Sequence, residues 1–178
     1  MQKIANGKPV RVMFEDEAGF GRINKPKYCW CGDGIRPLVP SQHIREYRYA
    51  YGAVEPLVGE SFFLVLPNCN SNCMKVYITK LSERFSNDHI VLVCDRASWH
   101  TSKTLDVPAN IHLFFIPPGT PEMNPIEQIW KELRKGFKNE LFRSLDNVVK
   151  RLCNLICALT NDTIKSIIGR EWILKLHL

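Results

Sequence analysis

The sequence predicts an α/β domain built on a mixed five-stranded sheet flanked by helices, with extra helices toward the C-terminus. Three observations carry this expectation. IVLVC (90–94) and IHLFFI (111–116) are short, continuous apolar runs of the kind found in strands covered on both faces. Residues 71–85 between the strand-like segments carry Met74, Ile78, Leu81 and Phe85 at helical spacing. The last third shows only helical periodicity. Strands first, then strand and helix in alternation, suit a sheet with helices packed on both faces.

Taken in order, VRVMFED (10–16) reads as a buried strand ending in acids. A stretch rich in Gly, Lys and Pro follows to about residue 46, an irregular insertion or hairpin. YRYAYGAV (47–54) and SFFLVL (61–66) are two further strands, joined by a turn over residues 55–59. A short helix is expected between residues 95 and 110, then helices over 125–138 and 145–159. Val148, Val149, Leu152, Ile156 and Leu159 form one face of the latter, and a short C-terminal helix follows. No repeat, low-complexity segment or linker divides the 178 residues, so a single domain spanning 1–178 is expected.

Composition narrows the function classes. Apolar residues at 45% and charged residues at 24% describe a chain that buries a core. No apolar run reaches the ~20 residues of a membrane span, and MQKIANGKPV lacks a signal-peptide core, so an intracellular location is expected. The seven cysteines are an odd count with mixed spacings, which argues against a disulfide framework or a matched zinc site. Cys153 and Cys157 are expected as small core residues of a helix. The net charge is +6. Arg22, Lys25, Lys27, Arg36, Arg45 and Arg48, against only Asp33 and Glu46, give residues 22–48 a local charge of +4. Tyr28, Trp30, Tyr47 and Tyr49 are interleaved with them. Cations for phosphates and rings for bases make this a candidate DNA-contacting surface. A solvated face with its aromatics turned into the core is the other reading.

Three acids stand at telling places. Asp16 ends the first strand between Glu15 and Glu17, and strand alternation turns it away from both neighbours. Asp95 follows IVLVC, at a strand end where open α/β sheets bind ligands. Glu127 opens a helix, and its bland explanation is good: Asn124 as N-cap, Pro125 at the first position and Glu127 at the third make a capping box.

FEDEAGF, VLVCDRASWHTS and FIPPGTPEMNPIEQIWKELR, in that order, resemble the catalytic signature of DDE transposases of the mariner-like superfamily, bacterial insertion-sequence branch. Thirty-one residues separate Asp95 from Glu127, close to that family's spacing. The resemblance runs from Val10 to Trp172 and implies a ribonuclease-H-like fold with Asp16, Asp95 and Glu127 as the catalytic, metal-binding acids. It implies Mg²⁺ or Mn²⁺, two ions in all, acting on DNA by strand cleavage and strand transfer. His100 matches a family histidine and is an accessory candidate for orienting phosphate or water, or a packed residue beside Trp99. Arg96 departs from the family, where Asn or Gly is common, and either clamps a phosphate or opposes metal binding. Trp130, Pro117 and Pro118 are expected to shape the loop and helix that present Glu127. The resemblance also implies transposon-end and target DNA as partners, a nucleoid-associated bacterial location, and DNA recognition by a helix-turn-helix region that this chain lacks. A homodimer is compatible with it. A hydrolysis-only nuclease and an inactive, nonspecific DNA-binding remnant stay open as alternatives.

Overall fold

The computed structural model describes residues 7–102 and 104–169, so the Trp172 end of the sequence resemblance lies outside the described residues. Five strands form one mixed sheet: β1 (Val10–Ile23), β2 (His43–Val54), β3 (Ser61–Leu66), β4 (His89–Cys94) and β5 (Ile111–Phe115), in the spatial order β3-β2-β1-β4-β5. β1 to β3 form an antiparallel meander, and β4 and β5 add in parallel beside β1. β1 is therefore central, antiparallel to one neighbour and parallel to the other.

Four α-helices cover the sheet: α1 (Ser71–Arg84), α2 (Ile126–Lys135), α3 (Leu145–Cys157) and α4 (Asn161–Ile168). Asn70 starts α1, its side-chain oxygen accepting the Cys73 N–H at 2.9 Å. Met74, Tyr77, Ile78 and Leu81 of α1 are buried with Met13, Tyr51, Ile90 and Leu92 of the sheet. On the other face Phe14, Ala18, Phe20, Val54 and Val93 pack against Ile126, Ile129, Trp130 and Leu133 of α2, with Val148 and Leu152 of α3 and Ile164 and Ile168 of α4. Alternation along β1 thus sends even-numbered side chains toward α2–α4 and odd-numbered ones toward α1.

The structure departs from the expected elements in four places. β1 continues to Ile23 and β2 starts at His43, because Glu15–Ile23 pairs with β2 from Ala53 to His43 with one register shift between Gly21 and Arg22; the acids lie mid-strand rather than at its end. Among the described residues, 95–110 hold turns instead of a short helix, with Ala97 accepting from both His100 and Thr101. α2 stops at Lys135, where Gly136 follows. Cys157 is exposed and Cys153 only partly buried, since α3 turns Val148 and Leu152 inward and its cysteines to the side.

A candidate active site on the central strand

Asp16 lies on β1 directly opposite Gly52 of β2. The glycine matters because a Cβ at position 52 would come within 2.7 Å of the Trp130 ring. Without it the indole lies over β2, edge-on to Phe63 at 5.9 Å between centroids. Trp130 Nε1 then donates to Asp16 Oδ2 at 2.9 Å. One turn earlier, buried Asn124 donates from Nδ2 to the Glu15 carbonyl at 2.8 Å. These two bonds tie the start of α2 to consecutive residues of β1, and Glu127 lies between them in the chain.

Electrostatics registers the proximity. Burial raises the Asp16 pKa to about 7, with repulsion from Glu17 and Glu127 adding to it, while bonds from the Glu17 backbone and Trp130 pull the other way. The capping box expected for Glu127 is half made. Asn124 Oδ1 accepts the Ile126 N–H at 3.4 Å, yet the Asn124 N–H goes to the Pro121 carbonyl, so Glu127 has no reciprocal bond to make there. Its carboxylate is half-buried beside Asp16 instead of closing the helix end.

Asp95 follows β4. Phe14 pairs with Val93 at the end of the parallel β1–β4 ladder, so Asp95 lies just past the strand that neighbours β1. Asp95 Oδ1 accepts from the Ala97 N–H at 2.8 Å and lies 2.9 Å from His100 Nδ1. The other side of that imidazole meets two more acids: His100 Nε2 is 3.2 Å from Glu17 Oε1 and 3.3 Å from Glu15 Oε2. Trp99 Nε1 also donates to Glu17 Oε1, at 2.8 Å. Burial works to lower the His100 pKa, but the Glu17 hydrogen bond and the charges of Glu15, Glu17 and Asp95 overcome it and push it up to about 10. His100 is thus a buried imidazolium. Glu15 is fully buried with neither oxygen hydrogen-bonded, and burial, then Glu17, holds its pKa well above the usual carboxylate range.

Glu15, Cys94 and His100 offer donor atoms within 4.8 Å of one another, a grouping able in principle to hold a metal. A protonated imidazole has no lone pair to give, and both His100 nitrogens already face carboxylates, so this group reads as charge compensation. Asp16, Asp95 and Glu127 are not part of this grouping; an oxygen-only donor set like theirs is what a hard divalent cation favours.

The remaining candidates fall outside this cluster. Arg96 lies over the Phe115 ring at 5.7 Å. Arg22 pairs with Glu46 at 2.8 Å and donates to the Phe142 carbonyl, which gives it a structural task. Arg48 donates to the Tyr47 carbonyl. Lys25, Lys27 and Arg36 are exposed on the 24–42 loop and Arg45 is exposed on β2. Tyr28 and Trp30 are fully exposed, so these aromatics do not enter the core. Sequence reasoning missed the tasks of Glu15, Glu17, Trp99, Asn124 and Trp130. Only the alternation of acids along FEDE hinted that Glu15 and Glu17 would share an opposite face.

Residues 11–149 match the family described as DDE superfamily endonuclease. An uncharacterized protein of Sinorhizobium fredii, y4pE/y4sA, is 36% identical over 130 residues, covering 71% of this chain and 96% of that protein. A pre-cleavage Mos1 transpososome is similar with a TM-score of 0.70 at 14% identity, over 89% of this chain and 52% of that one. A Mos1 mariner paired-end complex with Mn gives 0.67 at 15% identity, with the same coverage of both chains. The chain spans about half the length of these Mos1 chains. At such identities the likeness is one of fold, and that fold is the ribonuclease-H-like one the motifs imply.

Proposed function

The chain belongs to the DDE superfamily endonucleases, and from that membership we propose that it is the divalent-metal-dependent catalytic domain of a DNA transposase, with Asp16, Asp95 and Glu127 as its metal-binding carboxylates. One observation carries the assignment. Asn124 and Trp130, on either side of Glu127, bond to Glu15 and Asp16, which brings a helix-borne acid to a strand-borne acid 111 positions away.

The three acids would hold Mg²⁺ or Mn²⁺, two ions in the full arrangement. The donor set fits, being all oxygen, and a nearby divalent charge would offset the burial and the neighbouring carboxylates that raise Asp16. Bound ions supply electrostatic stabilisation to the attacking and leaving oxygens of an in-line displacement. The chain's own residues supply position: Trp130 aims Asp16, while the Ala97 N–H and the His100 imidazolium aim Asp95. No protein nucleophile is needed. In cleavage, water attacks phosphorus and the P–O bond to the 3′ oxygen breaks, leaving a 3′-hydroxyl and a 5′-phosphate. In strand transfer that hydroxyl attacks a target phosphodiester, joining to its phosphorus while the P–O bond to the target's 3′ oxygen breaks and leaves a target 3′-hydroxyl. A DNA substrate implies a nucleoid-associated location in a bacterium. This reading leaves recognition of element ends to a region outside these residues and is compatible with a homodimer.

The test is incubation with supercoiled plasmid and with pre-cut 3′ ends in Mg²⁺, Mn²⁺ or EDTA. Nicking and end joining are expected with either metal and not with EDTA, and Asp95→Asn should lower both by orders of magnitude. Nicking without joining would mark a hydrolysis-only nuclease. DNA binding without either reaction would mark a non-catalytic module.

A further inference from the structure

A cleft of about 770 Å³ opens between β1, β2 and the exposed side of α2, lined by Gly19, Phe20, Gly21, Ile23, Tyr47 and Phe137 together with five cations. These cations are Lys25, Lys131, Arg134, Lys135 and Lys138, and no acid lines the cleft. Three of them lie on α2, whose apolar side (Ile126, Ile129, Trp130 and Leu133) is committed to the sheet. Lys131 is one turn from Glu127, and the helix carries the cationic row ~12 Å from Glu127 to Lys135.

The cleft is braced at its far end. Asn139 takes a left-handed backbone, φ 64°, which Asn tolerates better than most residues. In that conformation its N–H donates to the Lys25 carbonyl at 3.1 Å and its side-chain oxygen accepts the Lys27 N–H at 2.8 Å. The loop carrying Lys25 is thereby pinned next to Lys138. Gln42 closes the same seam through two bonds with Phe142, at 2.9 and 3.0 Å. Tyr47 lies against Gly21, where a Cβ would collide with its ring, and 37% of this residue remains exposed. Arg134 stacks over Phe20 at 5.9 Å, and Lys135 shares its charge with Glu132.

We propose that this cleft is the track for a DNA strand entering the catalytic acids, with the α2 cations and Lys25 on successive phosphates and the Tyr47 ring against a base. The proposal rests on the catalytic reading above and adds the surface that delivers substrate to it. Its physical motive is repulsion: Asp16 and Glu127, near one another at the start of α2, carry the charge sign that repels phosphate. A cationic row beginning one turn from Glu127 offsets this. An acidic protein segment is the rival occupant, and it would have no use for an exposed ring among the cations.

Fluorescence anisotropy with labelled duplex and 3′-tailed DNA, in EDTA and at several salt concentrations, tests the track without requiring cleavage. Arg134→Gln with Lys138→Gln should weaken binding about tenfold at low salt and flatten the log–log salt dependence by about 2. Lys75→Gln with Lys80→Gln removes the same charge from α1, on the opposite face of the sheet, and should change affinity less than about twofold if the track is local. Tyr47→Ala should weaken tailed DNA more than blunt duplex. Arg134→Lys with Lys138→Arg keeps the charge and should retain binding, which separates a lost contact from a lost fold. Equal losses from the two neutralised pairs, or no loss from the Arg134/Lys138 pair, would overturn the proposal. If the Arg134/Lys138 pair loses DNA but the catalytic acids prove dispensable for any cleavage, the track stands and the catalytic reading fails.

Discussion

The two faces of β1 carry acids under opposite arrangements. On the face toward α1, Glu15 and Glu17 meet a buried imidazolium, and Trp99 adds a hydrogen bond. On the face toward α2, Asp16 accepts from the Trp130 indole and the Glu17 backbone, and burial, with Glu17 and Glu127 adding to it, raises its pKa to about 7. Glu17 is met by two donors on its side, whereas Glu15, fully buried with neither oxygen hydrogen-bonded, and Asp16 both have raised pKa values, burial being the largest cause for each. Buried charge is tolerated where it is paired, and a site that awaits a cation must remain unpaired until the cation arrives. Under the proposed function the contrast would separate acids that hold the fold from acids that bind metal, although they alternate along three consecutive residues. Asp95, just past the end of β4, meets the same His100 through its Oδ1.

The largest effect that would sharpen this contrast is on activity. Glu127→Gln should reduce DNA cleavage by orders of magnitude in Mg²⁺ or Mn²⁺, because it removes a charged oxygen donor. Its thermal stability should change by no more than ~1 kcal/mol, the size of one charge near a helix N-terminus. Near wild-type turnover by the folded variant would return Glu127 to a purely structural role. The other face should behave in reverse. His100→Ala leaves Glu15 and Glu17 without their buried cation and should cost ~3–5 kcal/mol of stability, read by denaturant unfolding. A fully stable His100→Ala protein would break the distinction between the faces.

A smaller effect has the opposite sign. Asp16→Asn keeps an oxygen for the Trp130 N–H but removes a carboxylate whose charged form is disfavoured by burial and its neighbours. The metal-free protein should gain ~1 kcal/mol or more at pH 8 while losing cleavage. A loss of stability in this variant would contradict the electrostatic picture.

The pH profile of the metal-free protein should be gentler still. Asp16 binds its proton more tightly folded than unfolded, so its contribution declines as pH rises from about 4 through 7. His100 also has a raised pKa, and the stability it adds is complete below about 6.5 and lost as pH rises through about 10. Both push the same way, and Tm should fall steadily from pH 6 to 9. Millimolar Mg²⁺ should recover part of that loss in wild type and little in Asp16→Asn. Calorimetric scans across that range, with and without the metal, would check both halves.

Much of this molecule is written in local pattern. The apolar runs of β4 and β5 and the helical spacing of Met74, Ile78 and Leu81 follow from burial at periods of 2 and 3.6. The length of β1 was not legible from local pattern. Past Asp16 the strand contains Gly19, Gly21 and charged residues, and only pairing with β2 keeps it extended. The turns at 95–110 likewise reflect side-chain bonds to Asp95 and His100 rather than propensity.

By itself the sequence determined which acids are candidates, because catalytic motifs keep residue types in fixed local order: FEDE, CDRASWH and NPIE are each a few residues long. What only the tertiary structure decided is the company those acids keep. Asn124 reaches Glu15 across 109 positions and Trp130 reaches Asp16 across 114, bonds that no periodicity announces. They form because Gly52 clears space for an indole and because α2 buries its apolar side on the sheet. The same packing puts His100, for which the sequence left open a role near phosphate or water and a packed place beside Trp99, edge-on to Trp99 among carboxylates. Its burial between strand and turn leaves both ring nitrogens facing carboxylates, and that depends on three distant segments meeting at one strand.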